Sequence, residues 1–448
     1  MPLDAIDRIF KAYDIRGLAP EELDEEVAHL VGNAFAVFTG ADRVIIGRDM
    51  RPTSAPLAAA FAEGAQAAGA DVVDIGMAST DMIYFAAGAL DAPGAMFTAS
   101  HNPAQYNGIK LCRAGAAPVG EETGLREIKE RVRRREFETS DRLGTQDTWD
   151  ALDRYAEHVR GFVDVSTLRP LKVVADTANG MGGLVVPKVF EALPFDLTVL
   201  FPELDGTFPN HPADPINVEN LADLRAAVTK GGADIGLAFD GDADRVFLVD
   251  DEGEPVSGST TTAILAQAIL GRNPGGAVVH NLICSKSVPE VIRENGGEPV
   301  RSRVGHSFIK QLMAERGAVF GGEHSAHYYF RDNYRADSGL IAAVMVLEQL
   351  SIADVPLSEL RRPFERYAQS GEINTEVDDQ HAVIEKVAAH YSDAQQDRLD
   401  GLTVDLGDWW FNLRPSNTEP LLRLNLEAPD REQCDERTAE VLALVRGA

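Results

Sequence analysis

Three stretches of the chain repeat one arrangement of apolar and polar positions. In each, a β-branched run gives way to a polar or Gly-rich loop, then to an Ala-, Leu- and Val-rich stretch of helical character, then to Gly and a second β-branched run. The first runs from RVIIGRDMR through APLAAAFAEGAQAAGA to DVVDIG, and the second from LKVVADTANGMGG through LVVPKVFEAL to FDLTVLF. The third runs from GAVVHNLICSK through SVPEVIRENGG to EPVRSRVG. Repeated units of this kind predict α/β layers with largely parallel strand pairing. AGADVVDIG (Ala68 to Gly76) and NGGEPVRSRVG (Asn295 to Gly305) also set Gly before and after a strand in the same way, a weak sign of internal repetition.

The pattern changes twice. The charged run from Glu121 to Asp150, including REIKERVRRREFE, predicts an exposed helix and a crossing to the second unit. After Tyr367 the repeat stops. GEINTEV reads as a strand, AVIEKVAAHYSDAQ as a helix, LLRLNLE as an alternating strand and the C-terminal stretch as a helix, which together predict a small α+β unit.

A chain of 448 residues holds apolar material for three domains or a little more. The opening MPLDAIDRIFKAYDIRG has no basic stretch leading into an apolar one, and no apolar run approaches the roughly 20 residues of a membrane span, so a cytoplasmic address is expected. Cys112, Cys284 and Cys434 are scattered without CxxC spacing and read as small buried hydrophobes. A formal charge of −29 argues against nucleic acid or an anionic membrane as partner. It also requires that any anionic ligand be met by Arg and Lys gathered in a cleft.

Four loops carry candidate chemistry. DGDADR (Asp240 to Arg245) sets Asp240, Asp242 and Asp244 at alternate positions in a Gly-containing turn, able to face one hard cation. It is no EF-hand: Arg245 replaces the sixth-position Gly, Asp251 the twelfth-position Glu, and both flanks read as strands. Mg²⁺ with positions open for a phosphate oxygen is the expected occupant. TASHNP (Thr98 to Pro103) offers Ser100 beside His101. A hydrolase triad is not indicated, because sequence neighbours in extended chain do not face each other and no GxSxG elbow is present. A serine that carries a phosphoryl group needs less, and Lys110 lies just downstream in NGIK.

GEHSAH (Gly322 to His327) supplies Glu323 and Ser325 for sugar hydroxyls and His327 as a titratable imidazole. Its rival reading is zinc, held by Glu323, His324 and His327 with His306 joining, though no helix carries HExxH spacing. RPSNTEP (Arg414 to Pro420) gathers Arg, Ser, Asn and Thr in one turn, a donor-rich cup suited to a phosphate dianion, with Arg423 opposite the Leu422, Leu424 and Leu426 face of the next strand. KAYDIRG (Lys11 to Gly17), GRDMR (Gly47 to Arg51), Lys286 and VGHSFIK (Val304 to Lys310) add cations at loop positions and supply the positive charge that the overall balance demands.

With KAYDIRG, TASHNP, DGDADR, GEHSAH and RPSNTEP in this order along its whole length, the chain resembles the α-D-phosphohexomutase superfamily, and within it the bacterial phosphomannomutase/phosphoglucomutase group. The resemblance implies an α/β protein of three related α/β domains with mixed sheets plus a C-terminal α+β domain around a central cleft. The boundaries are expected at 1–142, 143–251, 252–366 and 367–448. It implies Ser100 as the phosphoserine, Asp240, Asp242 and Asp244 as Mg²⁺ ligands with the Ser100 phosphate, and Glu323 and Ser325 as binders of sugar hydroxyls. Arg414, Ser416, Asn417 and Thr418, with Arg423, would hold the substrate phosphate. Lys110, His306, Arg245, His327, Tyr13 and Arg16 would line the transfer site, and Lys286 would assist phosphate binding.

The expected reaction interconverts hexose 6-phosphate and hexose 1-phosphate. Ser100 gives and takes back a phosphoryl group through a hexose 1,6-bisphosphate, which also primes the enzyme, and closure of the last domain keeps water out. A phosphatase using an Asp240-loop nucleophile and a silent sugar-phosphate binder are the competing readings. GEHSAH departs from the GEMSGH usual in the group and from the GEQSGH of phosphoglucosamine mutases, so mannose, glucose and glucosamine phosphates stay open as substrates. Oligomeric state, monomer or dimer, is not legible.

Overall fold

The computed structural model describes residues 3–416 and 421–447. Its first three sheets repeat one topology. In the first, Arg43–Arg48 lies between Asp71–Met77 and Gly94–Phe97, parallel to both, and Gly94–Phe97 turns back antiparallel into Tyr106–Arg113. In the second, Lys172–Asp176 lies between Asp196–Leu200 and Ile235–Phe239, and the latter turns back into Val246–Asp250. In the third, Ala277–Asn281 lies between Glu298–Ser302 and Phe320–Gly322, and the latter turns back into Tyr328–Phe330. The β-branched runs predicted as strands form the parallel core of each sheet.

This shared topology places the chemistry. The hairpin turn after the third strand of each unit sits at the carboxyl end of the parallel strands, where open α/β sheets present ligand sites. TASHNP, DGDADR and GEHSAH occupy these three equivalent turns. Each holds one non-glycine residue in the left-handed region: Ser100 at φ 50°, Ala243 at 60° and Ala326 at 64°.

Two sheets run past the boundaries expected from sequence. Gln146–Thr148 pairs with Asp71–Met77, so the first sheet continues beyond residue 142, and Pro255–Val256 extends the second beyond 251. The charged run before the first crossing is only partly exposed. Helix Leu125–Arg133 buries Leu125, Ile128 and Val132, three and four residues apart on one face, and leaves its charges outside.

The fourth sheet is antiparallel, ordered 368–369, 421–428, 410–415, 402–405, 395–397, with Ile373–Glu376 also on Leu421–Ala428. Two apolar clusters separate the units physically. One runs from Met82 and Ile83 through Tyr155, Val185 and Phe239 to Phe320 and Ile341, joining the first three units. Another, including Val387, Phe411, Leu424 and Val441, lies wholly within the fourth. Helix Gly339–Ala353, apolar on every face and buried for most of its length, packs on Gly258–Arg272 and Leu152–Arg160 and so fastens the second and third units together. Cys112, Cys284 and Cys434 are free and buried, as their scatter indicated. Among the described residues, no single helix is long and apolar enough to cross a membrane.

Candidate active site

The serine turn and the aspartate turn meet face to face. Ser100, 4% exposed, donates its hydroxyl to Asp240 Oδ2 at 2.7 Å. Arg245 Nε donates to the same oxygen at 2.9 Å. Lys110 Nζ bridges Asp242 Oδ2 and Asp244 Oδ2, at 2.7 Å each, and Thr80 Oγ1 donates to Asp242 Oδ2 at 2.5 Å. Burial pushes the Asp240 carboxyl well above the usual range, with Arg245 opposing. Burial acts in the same sense on Asp242, but Lys110 overrides it and holds this carboxyl below the usual range. Lys110 in turn is raised by Asp242 and Asp244 against the effect of its burial, which keeps it an ammonium.

Charge and hydrogen bonding fit a hard cation here. The three carboxylates place an oxygen each within 4.8 Å of one another. Asp242 Oδ1 and Asp244 Oδ1 are buried with no donor. With all three carboxylates ionised, Lys110 and Arg245 leave one negative charge uncompensated, and Asp242 and Asp244 add to the burial that raises Asp240; a phosphate on Ser100 would add more negative charge, so a divalent cation with all-oxygen ligation suits the cluster. The zinc alternative finds no such gathering: His324 Nδ1 lies 3.1 Å from Ser259 Oγ, and the other candidate metal group among the described residues is Asp244, His327 and Asp337.

His101 corrects the sequence reading. Its Nδ1 does approach Ser100 Oγ, at 3.2 Å, because Ser100 is left-handed rather than extended. It is still no base for Ser100. A guanidinium can only donate, so Arg245 Nη2, 2.6 Å away, occupies that nitrogen's lone pair, and the serine proton points to Asp240.

Arg51 is the residue that sequence reasoning misplaced. Expected to lend charge to the cleft, it is fully buried and spends all five donors locally. Nε donates to Asp49 Oδ2 at 3.1 Å, Nη1 to the carbonyls of Pro103 and Tyr106 at 2.9 and 3.0 Å, and Nη2 to those of Ser100 and Asn102 at 2.9 and 2.7 Å. One planar fork thus shapes the whole serine turn. An Asp two residues before an Arg at a strand end was its one local sign.

Some of the remaining candidates line a cleft of about 2050 Å³. Tyr13, Lys310, Ser325, Arg414, Ser416 and Arg423 are on its wall. Although the chain carries 42 Lys and Arg against 71 Asp and Glu, cations outnumber carboxylates along this wall. Arg16 Nη1 donates to Asn102 Oδ1 of the serine turn at 2.6 Å. His327 reaches Ser325 Oγ at 3.2 Å through Nδ1 and approaches Asp244 Oδ1 to 3.9 Å through Nε2. His306 packs edge-on against Tyr13, and burial pushes its imidazole down to about 3.

Two expected ligand groups have protein partners. Glu323 is 2% exposed and accepts from Tyr329 Oη at 2.6 Å, Asn281 Nδ2 at 3.1 Å and the Gly305 N–H at 3.2 Å. Lys286 donates to Asp405 Oδ1 and the Gly407 carbonyl, both at 2.9 Å, which ties the third unit to the fourth. Arg414 and Arg423 are cross-strand partners. Asn417 and Thr418 lie outside the described residues.

Known proteins match the chain along nearly its whole length. The four phosphoglucomutase/phosphomannomutase family models, alpha/beta/alpha domains I, II and III and the C-terminal domain, match residues 7–139, 153–253, 257–367 and 372–444. The chain belongs to the phosphoglucomutase/phosphomannomutase family of the α-D-phosphohexomutase superfamily, a family of isomerases. It is 42% identical over 443 residues to a protein named phosphohexose mutases from Xanthomonas campestris pv. campestris, covering 98% of this chain and 99% of that one. It is also 42% identical over 448 residues to the phosphomannomutase of Escherichia coli K12, covering 97% and 98%. A phosphoglucomutase/phosphomannomutase family protein from Burkholderia thailandensis, 34% identical, superposes with a TM-score of 0.89 over 98% of each chain.

Proposed function

We propose that this isomerase is a phosphomannomutase that also accepts glucose phosphates, working through a phosphoserine at Ser100 and a hexose 1,6-bisphosphate. The observation that carries the reading is the Ser100 hydroxyl held 2.7 Å from the aspartate turn by a loop folded around Arg51. The relatives named phosphomannomutase support mannose phosphate as substrate.

In the forward step the phosphorus–oxygen bond to Ser100 Oγ breaks and a new one forms to the free hydroxyl oxygen of a hexose 6-phosphate. The hydroxyl proton passes to His327, and Ser100 Oγ leaves as an oxyanion whose charge Lys110 and Arg245 meet; in the return transfer that oxyanion attacks and His327 gives its proton to the sugar oxygen released. The bisphosphate then turns in the cleft and its other phosphate returns to Ser100. Phosphoryl transfer asks mainly for position and charge neutralisation. Arg51 supplies position through the serine turn; Lys110 and Arg245 supply fixed charge. Asp240, Asp242 and Asp244 would hold Mg²⁺, whose chemistry is to neutralise the phosphoryl oxygens and favour serine as leaving group. Arg414 and Ser416, with Arg423, would grip the phosphate that is not reacting, and Glu323 and Ser325 the sugar hydroxyls. Such a cup can accept either end of the bisphosphate. The separate core of the fourth unit supports its closure as the device that excludes water.

The test is a coupled assay of mannose 1-phosphate, glucose 1-phosphate and glucosamine 1-phosphate with Mg²⁺ and catalytic hexose 1,6-bisphosphate. Conversion of mannose and glucose phosphates to the 6-phosphates is expected. Preference for glucosamine phosphate would replace the substrate assignment, and free phosphate without isomerised sugar would replace the mechanism by a phosphatase.

A further inference from the structure

The two arginines of the phosphate cup already hold an anion. Glu372 stands between them: Arg414 Nη2 donates to its Oε2 at 2.6 Å and Arg423 Nη1 to its Oε1 at 3.1 Å. One carboxylate oxygen goes to each guanidinium, the arrangement that two oxygens of a phosphate would adopt. We propose that Glu372 is a built-in competitor for the substrate's phosphate, occupying the cup when no ligand is bound and yielding it when a dianion arrives. This rests on the reading of Arg414 and Arg423 as the phosphate-binding pair.

Three features make the exchange workable. Arg414 Nε and Arg423 Nε are buried with no acceptor among the described residues, so Glu372 leaves donors unused that a phosphate, with more oxygens and twice the charge, can take up. The Glu372 side chain is 29% exposed, so a displaced carboxylate returns to water in the cleft at little cost. Gly371 before it is left-handed, at φ 70°, and a Cβ there would find no atom within 4 Å, so the chain beside Glu372 is open on that side.

The consequence is discrimination by charge. Without Glu372, two cationic side chains paired across neighbouring strands would repel each other and accept any anion of the medium. With it, a ligand must outbid a carboxylate that is always at hand. Substrate affinity is thereby lowered, and so is retention of inorganic phosphate and product.

The probe is inorganic phosphate, titrated calorimetrically at low salt into the full-length protein, its Glu372→Gln and Glu372→Ala variants and an Arg423→Gln variant, with thermal melting to verify folding. Binding to both Glu372 variants is expected to be about threefold to tenfold tighter than to the unchanged protein, the scale of a partly exposed ion pair. The KM for hexose phosphate should fall with it. Equal or weaker phosphate binding in the Glu372 variants overturns the proposal, since a carboxylate that merely orders the arginines would have that effect. Phosphate binding that survives unchanged in Arg423→Gln overturns the reading of the cup itself, whatever Glu372 does.

Discussion

A Cβ at residue 241 would lie 2.3 Å from the carbonyl oxygen of Ser100. Gly241, between the first two aspartates of the aspartate turn, is what lets that turn press against the serine turn of the neighbouring domain. Gly241→Ala must force the two apart, and misplacement of about 1 Å in a site that works by position costs about a hundredfold in rate. The variant is expected to fold, with kcat in the mutase assay lowered to that degree and KM little changed.

Arg51 offers a second test of position over charge. Lys keeps the positive charge but not the planar fork, and its three donors leave at least two of the five Arg51 acceptors, Asp49 and the four turn carbonyls, without a donor. Arg51→Lys should lose about 2–3 kcal/mol of stability in denaturant unfolding, from buried acceptors left unpaired. At temperatures where it is folded, kcat should fall while KM for hexose phosphate stays, because the proposed phosphate cup of Arg414 and Arg423 does not touch Arg51.

Mg²⁺ should bind where three carboxylates face only two side-chain cations. Thermal melting of the unchanged protein is expected to rise with Mg²⁺, as for any ligand of the folded state alone. Asp242→Asn should abolish that rise, and chelation should stop turnover until Mg²⁺ is returned.

Acid lability follows from histidines buried uncharged. Burial pushes His280 down from 6.5 to about 4, and His306 to about 3. The unfolded chain binds these protons near pH 6.5 and the folded one resists, so stability declines as pH falls from about 6.5 towards 4. The melting temperature should drop across that window, and His280→Gln should make the decline shallower.

Much of this molecule was legible because its signals are local. The β-branched runs that end at Gly or at a polar turn are the parallel strands, and the motifs after Phe97, Phe239 and Gly322 stand out because each interrupts an apolar hairpin. What escaped depends on distance. Asp49 hints that Arg51 is paired, but not that its guanidinium closes on Ser100 and Tyr106, far along the chain. Likewise, Glu372 reads as an ordinary strand-edge charge until Arg414 and Arg423 are folded against it. The short strand Gln146–Thr148 is too brief and too polar to announce itself within a charged run. His101 comes near Ser100 Oγ only because Ser100 is left-handed, a backbone state that the residues of TASHNP do not announce.

The central claim, that Ser100 carries the phosphoryl group, is tested most directly by incubating the protein with Mg²⁺ and hexose 1,6-bisphosphate labelled in phosphate, then locating the label by peptide mapping. The account predicts acid-stable, hydroxylamine-resistant label on the peptide containing Ser100, absent from Ser100→Ala together with mutase activity. Hydroxylamine-labile label on the peptide containing Asp240, retained in Ser100→Ala, would contradict it and make an aspartate the nucleophile.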